Sequence, residues 1–136
     1  MTTLLNWQEA YSVKVHEIDL QHQCFIQIIN KLYNAFIDKK LDDEILPILK
    51  ELEDYALLHF KTEEQYFVKF NYPTMAEHIA EHRSFIAQIL EFENDFKSNA
   101  KGLLPKMMTF LKDWLTNHIA HTDQNYTQCF NDHGLS

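Results

Sequence analysis

Apolar residues recur at intervals of three and four along four long stretches of this chain, and few residues interrupt them. The 136 residues include only 2 glycines and 3 prolines, too few for the many turns of a β-sandwich or barrel. A helix with one apolar stripe is stable in water when the stripe packs against other helices. The sequence therefore predicts an all-α fold.

Helix-start signals and short connections define the predicted architecture. The predicted helices cover residues 19–38, 42–69, 74–96 and 103–130. Asp19 is a good N-cap for the first, and Thr74 with Glu77 has capping-box spacing at the start of the third. Because short connections make neighbouring helices antiparallel, we predict an up-down-up-down antiparallel four-helix bundle.

The remaining residues are assigned to an arm and a tail of the same domain. Residues 1–18 are predicted to form an irregular N-terminal arm that packs Trp7 and Val13 over one end of the bundle. Residues 131–136 form a polar tail, so that 1–136 is one domain with its bundle at 19–130. Met1 and the self-contained arm argue against a fragment of a larger protein.

Charge and composition exclude several classes of partner. The formal net charge is −8, which repels nucleic acid and anionic membranes. No apolar run approaches the roughly 20 residues of a membrane span, and no secretion signal is visible. Cys24 and Cys129 do not form a disulfide framework. We therefore expect a cytoplasmic monomer that binds neither nucleic acid nor membrane.

Five of the 8 histidines fall in phase with the apolar stripes, together with two carboxylates. In an antiparallel bundle, the starts of helices one and three meet the ends of helices two and four. All seven side chains are therefore predicted to converge on one level of the core. They are His22, His59, Glu63, His78, His82, His118 and Asp123.

This set predicts a metal centre. Burial of so many imidazoles and carboxylates without partners would cost several kcal/mol. Seven ligands exceed the four that tetrahedral zinc takes, whereas two six-coordinate ions with bridging carboxylates, which suits iron, would use them all. His118 and Asp123 are about 140° apart on an α-helix, so we predict that they straddle the two ions and do not point at one spot.

The segment HIAEH, residues 78–82, also matches the H-x-x-E-H motif of one class of zinc peptidase. The glutamate of that motif must act at the metal. Glu81 is about 100° from His82 around the helix, so we predict that it is a solvated surface charge. The zinc peptidase interpretation is rejected on this geometry.

With these motifs in place, the chain resembles the hemerythrins, specifically the single-domain bacteriohemerythrins. The resemblance rests on an early Trp7 and on the segments DLQH, HFKTE, HIAEH and HIAHTD. It implies two non-haem iron ions with an oxo or hydroxo bridge. By motif position, His78, His82 and His118 hold one iron. His22 and His59 hold the other, which keeps an open position for O₂, and Glu63 and Asp123 bridge the pair.

The resemblance also implies an apolar O₂ pocket and a function. The pocket positions are Phe25, Phe60, Trp114, Leu115 and Ile119, and Tyr126 is expected just behind the ligands. The implied function is reversible O₂ binding, as a carrier, store or buffer and not as an enzyme. An O₂ or redox sensor, or a di-iron enzyme acting on peroxide or nitric oxide, remains the alternative.

Overall fold

The computed structural model describes residues 3–99 and 101–136. Three helices, α1 (His16–Ile37), α2 (Leu41–Lys69) and α3 (Met75–Lys97), precede a fourth, segmented helical stretch. Each packs against its neighbour in the chain, and the described residues contain no strand. The predicted all-α antiparallel bundle with an irregular arm is therefore confirmed. Residues 1 and 2 of the arm and Ala100 in the third connection lie outside the described residues.

Left-handed residues end the first three helices. Lys39, Asn71 and Asn99 have φ values of 58°, 51° and 57°. At the end of α2, the Tyr72 amide donates to the Phe67 carbonyl at 2.8 Å, which is the longer bond of a Schellman motif. These compact ends keep the connections short and the helices antiparallel.

The fourth stretch is not the continuous helix that the pattern predicts. It consists of α4 (Leu103–Asp113), a π segment (Trp114–Ile119), a 3-10 segment (Thr122–Tyr126) and α5 (Thr127–Asp132). In the π segment the Ala120 amide donates to the carbonyl of Leu115, five residues earlier, at 2.9 Å. Such wide turns inside α-helices are frequent at functional sites.

Two predicted caps differ from the structure. The N-cap of α1 is Val15, and Asp19 lies inside the first turns. Its carboxylate instead accepts bonds from the Ser12 hydroxyl at 2.6 Å and the Val13 amide at 2.9 Å, so it fastens the arm. Thr74 is the N-cap residue of α3, but its side chain makes no capping bond there.

The arm is hydrogen-bonded both to α1 and to α5. The Leu4 and Leu5 amides donate to Asn30 Oδ1 on α1, at 3.0 and 2.9 Å. The Thr127 hydroxyl of α5 donates to the Val13 carbonyl at 3.0 Å. Trp7 packs against the main core and Val13 against a separate apolar cluster, so the arm runs along the bundle as well as over its end.

The apolar interior falls into two clusters. The larger contains Phe25, Phe60, Phe85, Leu115 and most other buried apolar residues of the four helices. The smaller closes one end of the bundle and consists of Val13, Val15, Ile18, Phe67, Tyr72, Tyr126 and Phe130. A layer of buried polar side chains lies between the two clusters along every helix. None of the helices in the described part of the chain has the length and apolar character needed to cross a membrane.

Candidate metal centre

All seven predicted ligand residues lie in the polar layer between the apolar clusters. Their exposed fractions do not exceed 2%. Their ligand atoms form two compact groups that could each hold an ion. One group is Glu63, His78, His82, His118 and Asp123, and the other is His22, His59, Glu63 and Asp123. Because Glu63 and Asp123 belong to both groups, two ions held there would share these carboxylates.

Helix geometry explains why these residues meet. His59 and Glu63 are one turn apart on α2, as are His78 and His82 on α3, so each pair faces the same way. His22 lies in the second turn of α1, opposite the last turns of α2. The fourth stretch supplies His118 from its π segment and Asp123 from its 3-10 segment. All four helical stretches therefore contribute to one layer.

The distances show how the carboxylates divide their oxygens. Asp123 Oδ1 lies 2.9 Å from His78 Nε2 and 3.0 Å from His118 Nε2. Its other oxygen, Oδ2, lies 3.2 Å from His22 Nε2. Asp123 thus faces the three-histidine group with one oxygen and the two-histidine group with the other, as a bridging carboxylate does.

Glu63 joins the groups through a single oxygen. Its Oε1 lies 3.1 Å from His59 Nε2 and 3.2 Å from His82 Nε2. His22 Nε2 and His59 Nε2 lie 3.0 Å apart. Two nitrogens that are each about 2.1 Å from one ion, at right angles, are separated by about 3 Å. The spacing of the Nε2 atoms is therefore that of neighbouring ligands.

The unpaired polar atoms of this layer show whether a cation fits here. Several buried atoms have no hydrogen-bond partner among the described residues: both carboxylate oxygens of Glu63 and of Asp123, and Nε2 of the three histidines in the larger group. Unpaired buried polar atoms are costly and rare. A cation in each group would accept all of these lone pairs at once, so the residues present fit a two-metal centre.

Ionisation favours the same assignment. Burial alone would raise the pKa of Asp123, but His118, His22 and His78 outweigh it and hold that pKa well below its usual value. Burial would likewise raise the pKa of Glu63, yet His59 and His82 bring it below its usual value. Both carboxyls are therefore anionic at neutral pH, as ligands of a cation would be.

The Nδ1 atoms of three histidines have partners that the sequence pattern did not reveal. His59 Nδ1–H donates to Gln21 Oε1 at 2.6 Å, and His82 Nδ1–H donates to Glu64 Oε2 at 2.9 Å. His118 Nδ1–H donates to Glu81 Oε1 at 3.0 Å. A proton fixed on Nδ1 leaves the Nε2 lone pair directed at the candidate metal positions.

Two geometric predictions from the helical pattern are wrong. The Glu81 side chain is 45% exposed, but its carboxylate reaches across the seam to the fourth stretch and accepts a hydrogen bond from His118. It is therefore not only a solvated surface charge. His118 Nε2 and Asp123 Oδ1 are 3.0 Å apart and do point at one spot. The assumed α-helical pitch fails between them, since the π segment and the turn at His121 rotate Asp123 back towards His118.

Aromatic rings enclose the imidazoles. Phe60 stacks on His82 with centroids 3.8 Å apart, and Trp114 stacks on His118 at the same distance. Tyr55, which the sequence analysis missed, stacks on His59 at 5.3 Å. Its position one turn before His59 was the signal that could have identified it. The predicted pocket residues are all buried: Phe25, Phe60, Trp114, Leu115 and Ile119.

A surface groove of about 670 Å³ approaches this wall between α2 and α3. Phe60 and His82 form part of its lining, with Leu57, Val68 and Ile86 nearer the solvent. Phe60 is 5% exposed and lies against the His82 ring. Phe60 and the imidazole of His82 together therefore form the wall between the groove and the candidate metal positions on this face.

The other histidines and the cysteines are outside the centre. His16, His121 and His133 are exposed. Cys24 is exposed and Cys129 half-buried, and both are free thiols.

Tyr126 is fully buried, with its ring 5.6 Å from that of His78. Burial, together with Glu63 and Asp123, raises the pKa of Tyr126 well above its usual value.

Comparison with known proteins gives a consistent result. A family model described as the hemerythrin HHE cation binding domain matches residues 13–129. The bacteriohemerythrin of Methylococcus capsulatus is 31% identical over 127 residues, which cover 93% of this chain and 96% of that protein. The bacteriohemerythrin of Clostridium acetobutylicum is 29% identical over 126 residues, 88% of this chain and 96% of the relative.

A crystal structure of a wild-type hemerythrin superposes with a TM-score of 0.82 at 31% identity, covering 93% of this chain and 97% of that one. The family match covers the bundle up to residue 129 and includes all seven residues of the candidate centre. The chain belongs to the hemerythrin family.

Proposed function

We propose that this protein holds two non-haem iron ions and binds O₂ reversibly at them. The observation that carries the proposal is the pair of buried ligand groups that share Glu63 and Asp123. In the proposal, His78, His82 and His118 bind one ion, and His22 and His59 bind the other. The second group has one histidine fewer, which leaves room for an exogenous ligand.

Two ferrous ions, when bound, supply the two electrons that O₂ takes up and returns. The chain's own task is to hold the ions and to exclude water and protons. Phe25, Leu115 and Ile119 belong to the apolar cluster on one side of the ligand layer, and none exceeds 3% exposure. An apolar wall of this kind favours reversible binding over further reaction, because water and protons reach the site slowly.

Metal analysis and optical spectroscopy test the proposal. The purified protein should contain two irons per chain, and the reduced protein should change its spectrum in air and recover when O₂ is removed. His59→Ala and Glu63→Ala should lose iron and stability together, since metal binding at a folded site is also folding free energy. His16→Ala removes an exposed histidine at the start of α1 and is the matched control. One zinc per chain that is fully retained in Glu63→Ala would refute the di-iron centre.

A di-iron enzyme acting on peroxide is the second candidate, because the site has buried hydroxyls as well as apolar walls. The hydroxyls of Tyr55 and Tyr126 are buried without a hydrogen-bond partner among the described residues. A phenol close to a metal can supply protons and electrons to a bound oxidant. Peroxide consumption with an external electron donor, lost in Tyr55→Phe or Tyr126→Phe, would support this activity. If both variants consume peroxide at the same rate as the unmodified chain, the buried hydroxyls do not take part and no longer favour this activity.

A further inference from the structure

Three hydrogen bonds to histidine Nδ1 atoms share one construction. Each acceptor is one residue away from a candidate ligand on its own helix, and each reaches a histidine on the next helical stretch. Gln21 of α1 accepts from His59 of α2, and Glu64 of α2 accepts from His82 of α3. The third acceptor, Glu81 of α3, bonds His118 of the π segment.

Helix geometry explains the construction. Consecutive residues on an α-helix are about 100° apart, so a residue next to an inward-facing ligand faces the seam with a neighbouring helix. From that seam a glutamine or glutamate side chain reaches the outer edge of the imidazole across the gap. The three bonds therefore connect adjacent helices at the level of the candidate metals, in chain order from α1 to the fourth stretch.

The acceptors differ in charge between the two ligand groups. In the three-histidine group, His82 and His118 donate to carboxylates. In the two-histidine group, His59 donates to an amide, and His22 Nδ1 is buried without a partner among the described residues. An imidazole that donates to a carboxylate is a more basic metal ligand.

The orientation of the Gln21 amide is fixed by a further bond. Its Nε2 donates to the Thr62 hydroxyl at 3.2 Å, which leaves Oε1 to accept from His59. The Thr62 hydroxyl in turn donates to the Leu58 carbonyl at 3.0 Å. A glutamate at position 21 would keep the acceptor for His59, and Thr62 could donate to it after rotation of its hydroxyl. The amide can therefore be exchanged for a carboxylate without loss of shape.

We propose that Gln21, Glu64 and Glu81 are positioning residues of the metal centre, and that their difference in charge sets the affinity difference between its two positions. The three-histidine position, supported by two carboxylates, binds the first and tighter metal. The two-histidine position, supported by one amide, fills second and releases its metal first. This inference rests on the two-metal centre proposed above.

Stepwise titration of the metal-free chain with Zn²⁺ tests the order of binding. Zinc is diamagnetic and takes imidazole and carboxylate ligands. In histidine side-chain ¹⁵N NMR spectra, the first equivalent should shift Nε2 of His78, His82 and His118, and the second should shift those of His22 and His59. In the loaded protein, His59, His82 and His118 should carry the proton on Nδ1.

Charge exchange tests the role of the three acceptors. The double variant Glu64→Gln/Glu81→Gln keeps the size and an acceptor atom but loses both charges, and its first Zn²⁺ should bind about 10–100-fold more weakly in chelator competition. Gln21→Glu should bind the second Zn²⁺ more tightly. Glu77→Gln removes one charge from an exposed site on α3 that bonds no histidine within the described residues, and it should leave both constants unchanged.

The outcomes separate the inference from the proposed centre. Failure of the unmodified chain to bind two zinc ions would refute the two-metal centre itself. Two zinc ions bound with unchanged constants in the double variant and in Gln21→Glu would refute the positioning roles alone. Filling of the two-histidine position by the first equivalent would also overturn the inference. A far-UV circular dichroism spectrum of each variant confirms that the helices are retained before the constants are compared.

Discussion

Replacement of Phe60 should open the centre to the groove between α2 and α3. Phe60 is 5% exposed and its ring contacts His82 at a centroid distance of 3.8 Å. It also packs edge-to-face on Phe85 at 5.6 Å and lies 5.9 Å from Trp114. The Phe60→Ala change would remove all three contacts and leave a cavity that joins the groove to the imidazole layer.

The magnitude follows from burial and ring contacts. A buried Phe→Ala substitution costs about 3–5 kcal/mol of unfolding free energy. Phe60→Leu keeps most of the apolar volume and loses mainly the ring pairs, each worth about 0.5–1.5 kcal/mol. We therefore expect a loss of about 3–5 kcal/mol for Phe60→Ala, measured by urea unfolding of the metal-free chain. For Phe60→Leu, which loses the pairs with Phe85 and Trp114, we expect about 1–3 kcal/mol.

Access to the metal is measured separately, as the rate at which a chelator removes bound metal. We expect Phe60→Ala to release metal about tenfold faster than the unmodified chain, which corresponds to a barrier lowered by about 1.4 kcal/mol. Phe92→Ala is the matched control, because Phe92 is 3% exposed in the same apolar cluster but does not line the groove. Equal release rates for the two alanine variants would show that general loosening, and not loss of the wall, frees the metal.

Three further predictions concern the apolar wall at Leu115, the N-terminal arm and the protonation of His118. If the protein binds O₂ as proposed, Leu115→Ala, and more strongly Leu115→Ser, should shorten the lifetime of the oxygenated form in air while iron content stays at two per chain. If its absorption band decays at an unchanged rate, Leu115 is an ordinary core residue and does not protect the bound O₂. Asp19→Ala should lower the unfolding free energy by about 1–3 kcal/mol in urea, since it leaves the buried Val13 amide without an acceptor; an unchanged midpoint would contradict this. Burial would lower the pKa of His118, but Asp123, Glu63 and Glu81 raise it to about 9. Zn²⁺ binding at pH 7 should therefore release a proton from His118, detected by an indicator in weak buffer, and apparent affinity should increase with pH up to about 9. In the metal-free chain the same shift stabilises the fold fully below about pH 6.5. That contribution is lost as pH rises through about 9.

The sequence was sufficient to predict the parts of the structure that depend on helical periodicity. His59 with Glu63, and His78 with His82, are one turn apart on uninterrupted helices, so their shared direction could be derived from spacing. The apolar stripes likewise indicated four helices and their order. Each of these inferences needs only a regular pitch, and the pitch of α1, α2 and α3 is regular.

The predictions that were wrong depend on departures from that pitch or on contacts across seams. The distance between His118 and Asp123 depends on one wide turn, and no residue type in WLTNHI specifies such a turn by itself. The partner of Glu81 is 37 residues away in the chain, so a local pattern shows only an exposed acid. Asp19 resembles a helix cap because caps and arm contacts both use a short carboxylate close to backbone amides.

The wide turn between Trp114 and Ile119 has a consequence for changes in chain length. Along a helix, the direction of each side chain depends on the number of residues before it and very little on their chemical identity. Thr116 and Asn117 are exposed, so substitutions there should be tolerated. Insertion of a further residue beside Asn117 would exceed the one extra residue that the wide turn accommodates, and it would rotate the chain beyond the turn by about 100°. Asp123 would then lose its place opposite the histidines. A search for relatives that have lost the centre should therefore look for inserted residues in this segment as well as for replaced ones.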